Sequence, residues 1–192
     1  MLAVAACTRA PDRPADTAAP AIAVNSPSPA PAPAPDPDPA KQPAALEVTE
    51  RGLGPLQAGM SLAEASAALN GALVVPAGAD TSACAYVQWS DGPPGVRVMI
   101  ESGRIARIDV RSGSVSTEAG AHIGDTEERV SSLYAGRVSM SPHKYTKGHY
   151  MTVTPPVPAD SAYRIVFETD GQRVITYRSG RRHAVDYVEG CG

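Results

Sequence analysis

Long apolar runs are missing from this sequence: no stretch approaches the roughly 20 apolar residues of a spanning helix, so no segment is expected to cross a membrane. An excess of one charge is missing too. The 17 basic and 20 acidic side chains leave a formal charge of -3. They are spread without long blocks of one sign, and phosphate binding needs a basic stripe, so nucleic acid is not the expected partner. The adjacent pair Arg181 and Arg182 reads as a solvated loop end. Catalytic signatures are also absent. There is no G-x-S-x-G nucleophile turn, no Gly-rich phosphate loop ending in Lys-Ser or Lys-Thr, no dinucleotide fingerprint and no HExxH. The expectation is therefore a protein without catalytic residues, cofactor or metal.

What is present begins with proline. Residues 11–45 are mostly Pro and Ala around SPSPAPAPAPDPDP. Proline lacks an amide donor and fixes φ, so this segment favours extended polyproline II and cannot bury a core. At about 3.1 Å per residue it would reach roughly 100 Å, and the expectation is a disordered spacer over residues 7–45.

From Leu46 the pattern changes. In LQAGMSLAEASAALNG, Ser61 and Glu64 have capping-box spacing, Leu62, Ala65 and Leu69 share a helical face, and Asn70-Gly71 is a stop signal. A short helix is expected from Ser61 to Asn70, packed on a sheet. In VRVMIESGRIARIDVRSG, Val96, Val98 and Ile100 alternate with Arg97, Met99 and Glu101, and Ser102-Gly103 turns into a second alternating run. That predicts a hairpin with one apolar face.

The plan then recurs. Gly124, Thr126, Val130 and Tyr134 stand 65 residues after Gly59, Ser61, Ala65 and Leu69. In YRIVFETDGQRVITYRSG, Glu168 matches Glu101, and the exit turn Arg178-Ser179-Gly180 matches Arg111-Ser112-Gly113, at an offset of 67. The second helix lacks the capping box in register, and Asp125 with Glu128 restores the spacing one residue earlier. A near-constant offset points to internal duplication. The expected class is α+β: residues 46–192 form two αββ-like repeats, about 52–113 and 119–191, with short helices packed on an antiparallel sheet.

Cysteine is scarce and odd in number: Cys7, Cys84 and Cys191. VAAC, residues 4–7, resembles the lipobox of bacterial lipoproteins, in which the cysteine takes a diacylglyceryl thioether. The resemblance implies that residues 1–6 are the remnant of a signal peptide and that Cys7 is the lipidation site. The Pro-rich spacer suits a tethered domain. Thr8 after the cysteine favours the outer membrane, facing the periplasm, with contact to membrane through the lipid anchor alone. Lipidation would leave Cys84 and Cys191 as an even pair. In an oxidising compartment they are expected to bond and to tie a C-terminal strand AVDYVEGC to the first repeat, contributing about 4 to 5 kcal/mol in the chain-entropy account.

The motifs GMSLAEASAAL and GDTEERVSSL, each followed by a hairpin, resemble the BamE-like and β-lactamase-inhibitor-protein-like group of small envelope and secreted domains. That resemblance implies helices packed on an antiparallel sheet and a role in binding other proteins. Aromatic and basic side chains mark the candidate binding surface: Trp89 in CAYVQW, then His143, Lys144, Tyr145, Lys147, His149 and Tyr150 in HKYTKGHY. Tyr and Trp bury large area with few rotors while keeping a polar tip. For Trp89, core packing and surface contact stand even, whereas Tyr145, between basic residues, is expected at the surface. His143 and His149 read as solvated loop histidines, and Glu101 and Glu168 as exposed acids before hairpin turns. The expected partner is an envelope protein, bound as by an assembly factor or inhibitor. The alternative is a cell-wall glycan, on which the rings would stack.

Overall fold

The computed structural model describes residues 46–191, and the expectations for Cys7, the signal remnant and the spacer lie outside them. The described part is α+β. A small sheet of Val48–Thr49 (β1), Gly52–Leu53 (β2) and Leu56–Gln57 (β3) leads into helix Leu62–Ala68 (α1). Four strands follow: Leu73–Val74 (β4), Cys84–Trp89 (β5), Val96–Glu101 (β6) and Arg104–Val110 (β7). The second half repeats the order, with helix Glu127–Leu133 (α2), then Val138–Pro142 (β8), His149–Val153 (β9), Tyr163–Thr169 (β10) and Val174–Arg181 (β11). A helical turn, Arg182–Val185 (α3), precedes the C-terminal residues. No helix among the described residues is long and apolar enough to cross a membrane.

The strands form one eight-stranded antiparallel sheet in the order β4-β5-β6-β7-β11-β10-β9-β8. Each half thus supplies four consecutive strands, two more than the αββ pattern read from hydrophobic alternation. The halves meet where β7 pairs with β11, with Val110 opposite Tyr177. These two residues are themselves separated by the hairpin offset of 67, so equivalent positions face one another across the junction.

Local chemistry explains the helices. Ser61 Oγ accepts from the Glu64 amide at 3.2 Å while Glu64 accepts from the Ser61 amide at 2.7 Å, the reciprocal box expected from spacing. Asn70 and Gly71 both take positive φ and stop α1. In α2 the N-cap is Thr126, whose hydroxyl accepts from the Arg129 amide at 3.2 Å. Asp125 does not cap, correcting the shifted box. Its carboxylate accepts from the His122 amide at 2.9 Å and pairs with Arg129 at 3.0 Å. Ala65 and Val130, which are equivalent, are each fully buried.

The core lies between the helices with the small sheet and one face of the large sheet. Val87, Val98, Ile108 and Val110 come from the first half, and Met151, Val153, Ile165 and Phe167 from the second. Phe167 joins α2 to the sheet centre, its ring 5.9 Å from Tyr134 and 5.3 Å from Tyr177. The first hairpin turns through Ser102 and Gly103, both at positive φ, as its sequence predicts. Its second face is only partly solvated, however: Arg97 is exposed, but Met99, Arg107 and Asp109 are buried there. The cover comes from the distant C-terminal segment, which alternation within the hairpin cannot report.

Two further expectations change. Arg178-Ser179-Gly180 is not an exit turn but the interior of β11. Gly180, at φ 143°, lies so close to β7 that a Cβ would come within 2.5 Å of the Ala106 carbonyl oxygen. Similarly, AVDYVEGC is not a strand: Ala184 and Val185 finish α3, and Asp186–Cys191 has no regular structure. Arg181 and Arg182, expected in a loop, end β11 and begin α3, and both are exposed.

Candidate functional site

The face of the sheet opposite the core is polar, and the C-terminal segment lies across it as a strap. Arg107 and Arg178 point there because they alternate with the core residues Ile108 and Tyr177. Arg107 Nη1 donates to the carbonyls of Ala184 at 2.7 Å and Tyr187 at 2.5 Å, Nη2 donates to Tyr86 Oη at 2.7 Å, and Nε pairs with Asp109 at 3.1 Å. Arg178 Nε donates to the Val185 carbonyl at 2.5 Å, and its Nη1 pairs with Glu168. Ala184 and Val185 end α3 and Tyr187 follows it; the Ala184 carbonyl also accepts from the Tyr187 amide at 3.3 Å, and the two buried guanidiniums supply charge-assisted donors to all three carbonyls. Burial, followed by the nearby Asp109 carboxylate, raises the Tyr86 phenol above its ordinary value, and the neighbouring arginines offset this only in part.

Cys84 and Cys191 are bonded, with Cα atoms 5.4 Å apart, and this closes the strap onto β5. Gly190 beside it takes φ 76°, and a Cβ there would lie 2.5 Å from the Tyr86 hydroxyl.

The β8–β9 turn meets the strap from the other side. Glu189 accepts from Lys144 Nζ at 3.1 Å and from the Tyr145 hydroxyl. Those two donors hold the Glu189 carboxyl below its ordinary range, while Tyr145 and then Glu189 push the Lys144 ammonium up to about 12. Tyr145 nevertheless leaves 60% of its surface exposed, and Tyr187 on the strap leaves 46%.

The six turn residues expected as a binding surface therefore share one region but differ in role. His143 is not a solvated loop histidine. Its side chain is 7% exposed, its ring stacks on Tyr150 at 4.4 Å, and its Nδ1 accepts from the Tyr145 and Thr146 amides at 3.1 and 3.2 Å. His149 turns to α2 instead, its Nδ1 2.9 Å from Glu127. The two histidines thus face different carboxylates, and no cluster of three metal-ligating side chains occurs among the described residues. Lys144, Tyr145 and Lys147 are exposed, and Tyr150 is half-buried. Trp89 is not part of the group. It lies on β5 opposite Leu73 of the edge strand β4, packs against the core, and its ring nearly touches the Gly92 backbone. Glu168 is also not the exposed acid its place before a turn suggests, with 14% of its side chain accessible and Arg178 on one oxygen. Glu101 keeps more exposure and pairs with His183 at 2.7 Å.

The polar lattice of Tyr86, Arg107, Asp109, Glu168 and Arg178 carries no local sequence signal, since charges alternating with apolar residues in a strand read as a solvated face. The one available hint was the pairing of Cys84 with Cys191, which requires the tail to cross that face.

The Glu127 contacts carry a pH consequence. Burial alone would raise its carboxyl, but bonds from the Thr169 hydroxyl and His149 outweigh that and hold it below 4.5. A depressed carboxylate stabilises the fold above its unfolded value, and the contribution disappears as pH falls through the folded one. Thermal stability is expected to decline below pH about 4.5, and Glu127→Gln should flatten that decline. An identical acid limb in the variant would count against the assignment.

No family model matches the chain, and no curated protein matches it. Among solved structures the chain is similar to one described as the crystal structure of the uncharacterized protein yfeY from Escherichia coli. The two are 16% identical, with a TM-score of 0.44, over 70% of this chain and 99% of that one.

Proposed function

We propose that this protein is a noncatalytic envelope lipoprotein, held through Cys7 at the outer membrane and facing the periplasm, that binds another protein through the ridge where the β8–β9 turn meets the strap. The observation that carries the binding surface is the fastening of that turn to a disulfide-closed segment: Lys144 and Tyr145 converge on Glu189, while the Tyr145 ring stays largely exposed. An aromatic side chain already held in place loses little freedom on contact, which favours association. The tandem helix-and-sheet arrangement agrees with the resemblance to the BamE-like and β-lactamase-inhibitor-protein-like group. The anchor rests on the VAAC sequence and the spacer, and a bonded cysteine pair suits an oxidising compartment. The reading as noncatalytic rests on the missing motifs and on the structural use made of Arg107, Asp109, Glu168 and Arg178.

In-cell cross-linking of envelopes, comparing wild type with Tyr145→Ala and Cys7→Ser, tests the proposal. Tyr145→Ala should weaken the protein adduct by about 2 kcal/mol, the range of an interface aromatic, and Cys7→Ser should leave the membrane fraction. An adduct unaffected by Tyr145→Ala would discard the ridge, and retention on purified peptidoglycan without any protein adduct would favour a glycan. Cys7→Ser remaining with membranes would discard the anchor.

A further inference from the structure

Beside the strap, the polar face opens into a cleft of about 150 Å³. Four guanidiniums line it, from Arg97, Arg107, Arg111 and Arg178, against the three carboxylates of Asp109, Glu168 and Glu189. Every carboxylate is already engaged: Asp109 by Arg107, Glu168 by Arg178, and Glu189 by Lys144 and Tyr145. Two of the four cations are not. Arg97 and Arg111 form no ion pair among the described residues, and the Arg97 guanidinium rests on the face of Tyr86, 4.0 Å from its centroid. Arg178 has 6% of its side chain exposed, yet only its Nε and Nη1 have protein partners. Arg178 also borders a second cleft on the Tyr150 side, so it forms a wall between the two.

Register brings these cations together. Arg97 on β6 is opposite Asp109 on β7, and Asp109 is opposite Arg178 on β11, so the two arginines flank one engaged acid on adjacent strands. Arg111 follows directly after β7, on the side of Thr176. A guanidinium fork matches the oxygens of a carboxylate or phosphate, and donors arriving from separate strands can surround one such group.

We propose that this cleft is a binding site for an oxyanion group, a carboxylate or a phosphate, held by Arg97 and Arg111, with Arg178 in its wall. The ligand supplies the counter-charge that Arg97 and Arg111 lack. The site meets the ridge at Glu189, which lines the cleft, but does not depend on the role proposed for the ridge.

Calorimetric titration of the purified protein with sodium phosphate and, separately, sodium succinate, against sodium chloride at matched ionic strength, tests the site. Saturable binding of at least one is expected, with affinity lowered about tenfold or more in R97Q/R111Q. Both positions are exposed and form no ion pair among the described residues, so the melting temperature of that variant in chloride should fall only by the few degrees that the Arg97–Tyr86 contact is worth. Binding of phosphate alone assigns a phosphate ligand, binding of succinate alone a carboxylate, and binding of both the shared chemistry. No saturable binding beyond chloride, or equal affinity in R97Q/R111Q, overturns the proposal.

Discussion

Replacing Cys84 and Cys191 together by serine will cost the domain about 4 to 5 kcal/mol, measured as the free energy of urea unfolding. The bond closes a loop whose ends are 107 residues apart, and the entropy lost by the unfolded chain grows with the logarithm of that length. Domains of ordinary size have only about 5 to 15 kcal/mol in total, so this is a large share. The damage should not be uniform. Core strands keep Phe167, Tyr177 and their neighbours, whereas the strap loses its covalent tie and retains the arginine contacts and those of Lys144 and Tyr145 to Glu189. Hydrogen exchange should accelerate first at residues 184–190, and the exposed ridge should lose its order with them. A loss below about 1 kcal/mol would mean that the unfolded reference state keeps the two ends near each other without the bond.

Arg178→Ala is the second large effect, expected at about 3 to 5 kcal/mol. The guanidinium is buried, neutralises Glu168 and supplies the donor for the Val185 carbonyl, so its removal leaves a half-buried carboxylate and an uncapped helical turn. The companion variant Arg178→Met with Glu168→Gln separates charge from packing. Removing both charges while keeping volume should recover much of the loss, because desolvating an ion pair offsets most of its attraction. Equal melting temperatures for the single and double variants would show that the pair is not what the substitution disturbs.

The fold class was legible because its signals are local. Ser61 with Glu64, Asn70-Gly71 and Ser102-Gly103 act within a few residues, and each forms the cap, stop or turn that its chemistry dictates. The polar face was not legible, since its burial depends on a segment near residue 190 crossing strands near residue 107. Arg107, Asp109 and Glu168 look in sequence like solvated charges, and only the three-dimensional path of the strap makes them a lattice. The turn residues divide for the same reason. Tyr145 is exposed as its basic neighbours suggest, but His143 is fixed by Glu168 and Tyr150, which lie 25 and 7 residues away. Trp89 went to the core, the choice its flanking sequence left even. The RSG repeat misled because the same three residues leave β7 in one half and continue β11 in the other.

The pairing of Val110 with Tyr177 places equivalent positions of the two halves opposite one another. Such a contact has the self-matching geometry of a two-fold dimer interface. In a dimer its occupancy would follow protein concentration, whereas on one chain it does not. The eight-stranded sheet is therefore complete at any dilution. Freed from identical sequence, the halves can carry different chemistry at matching places, as Arg111 in solvent and Arg178 under the strap already do.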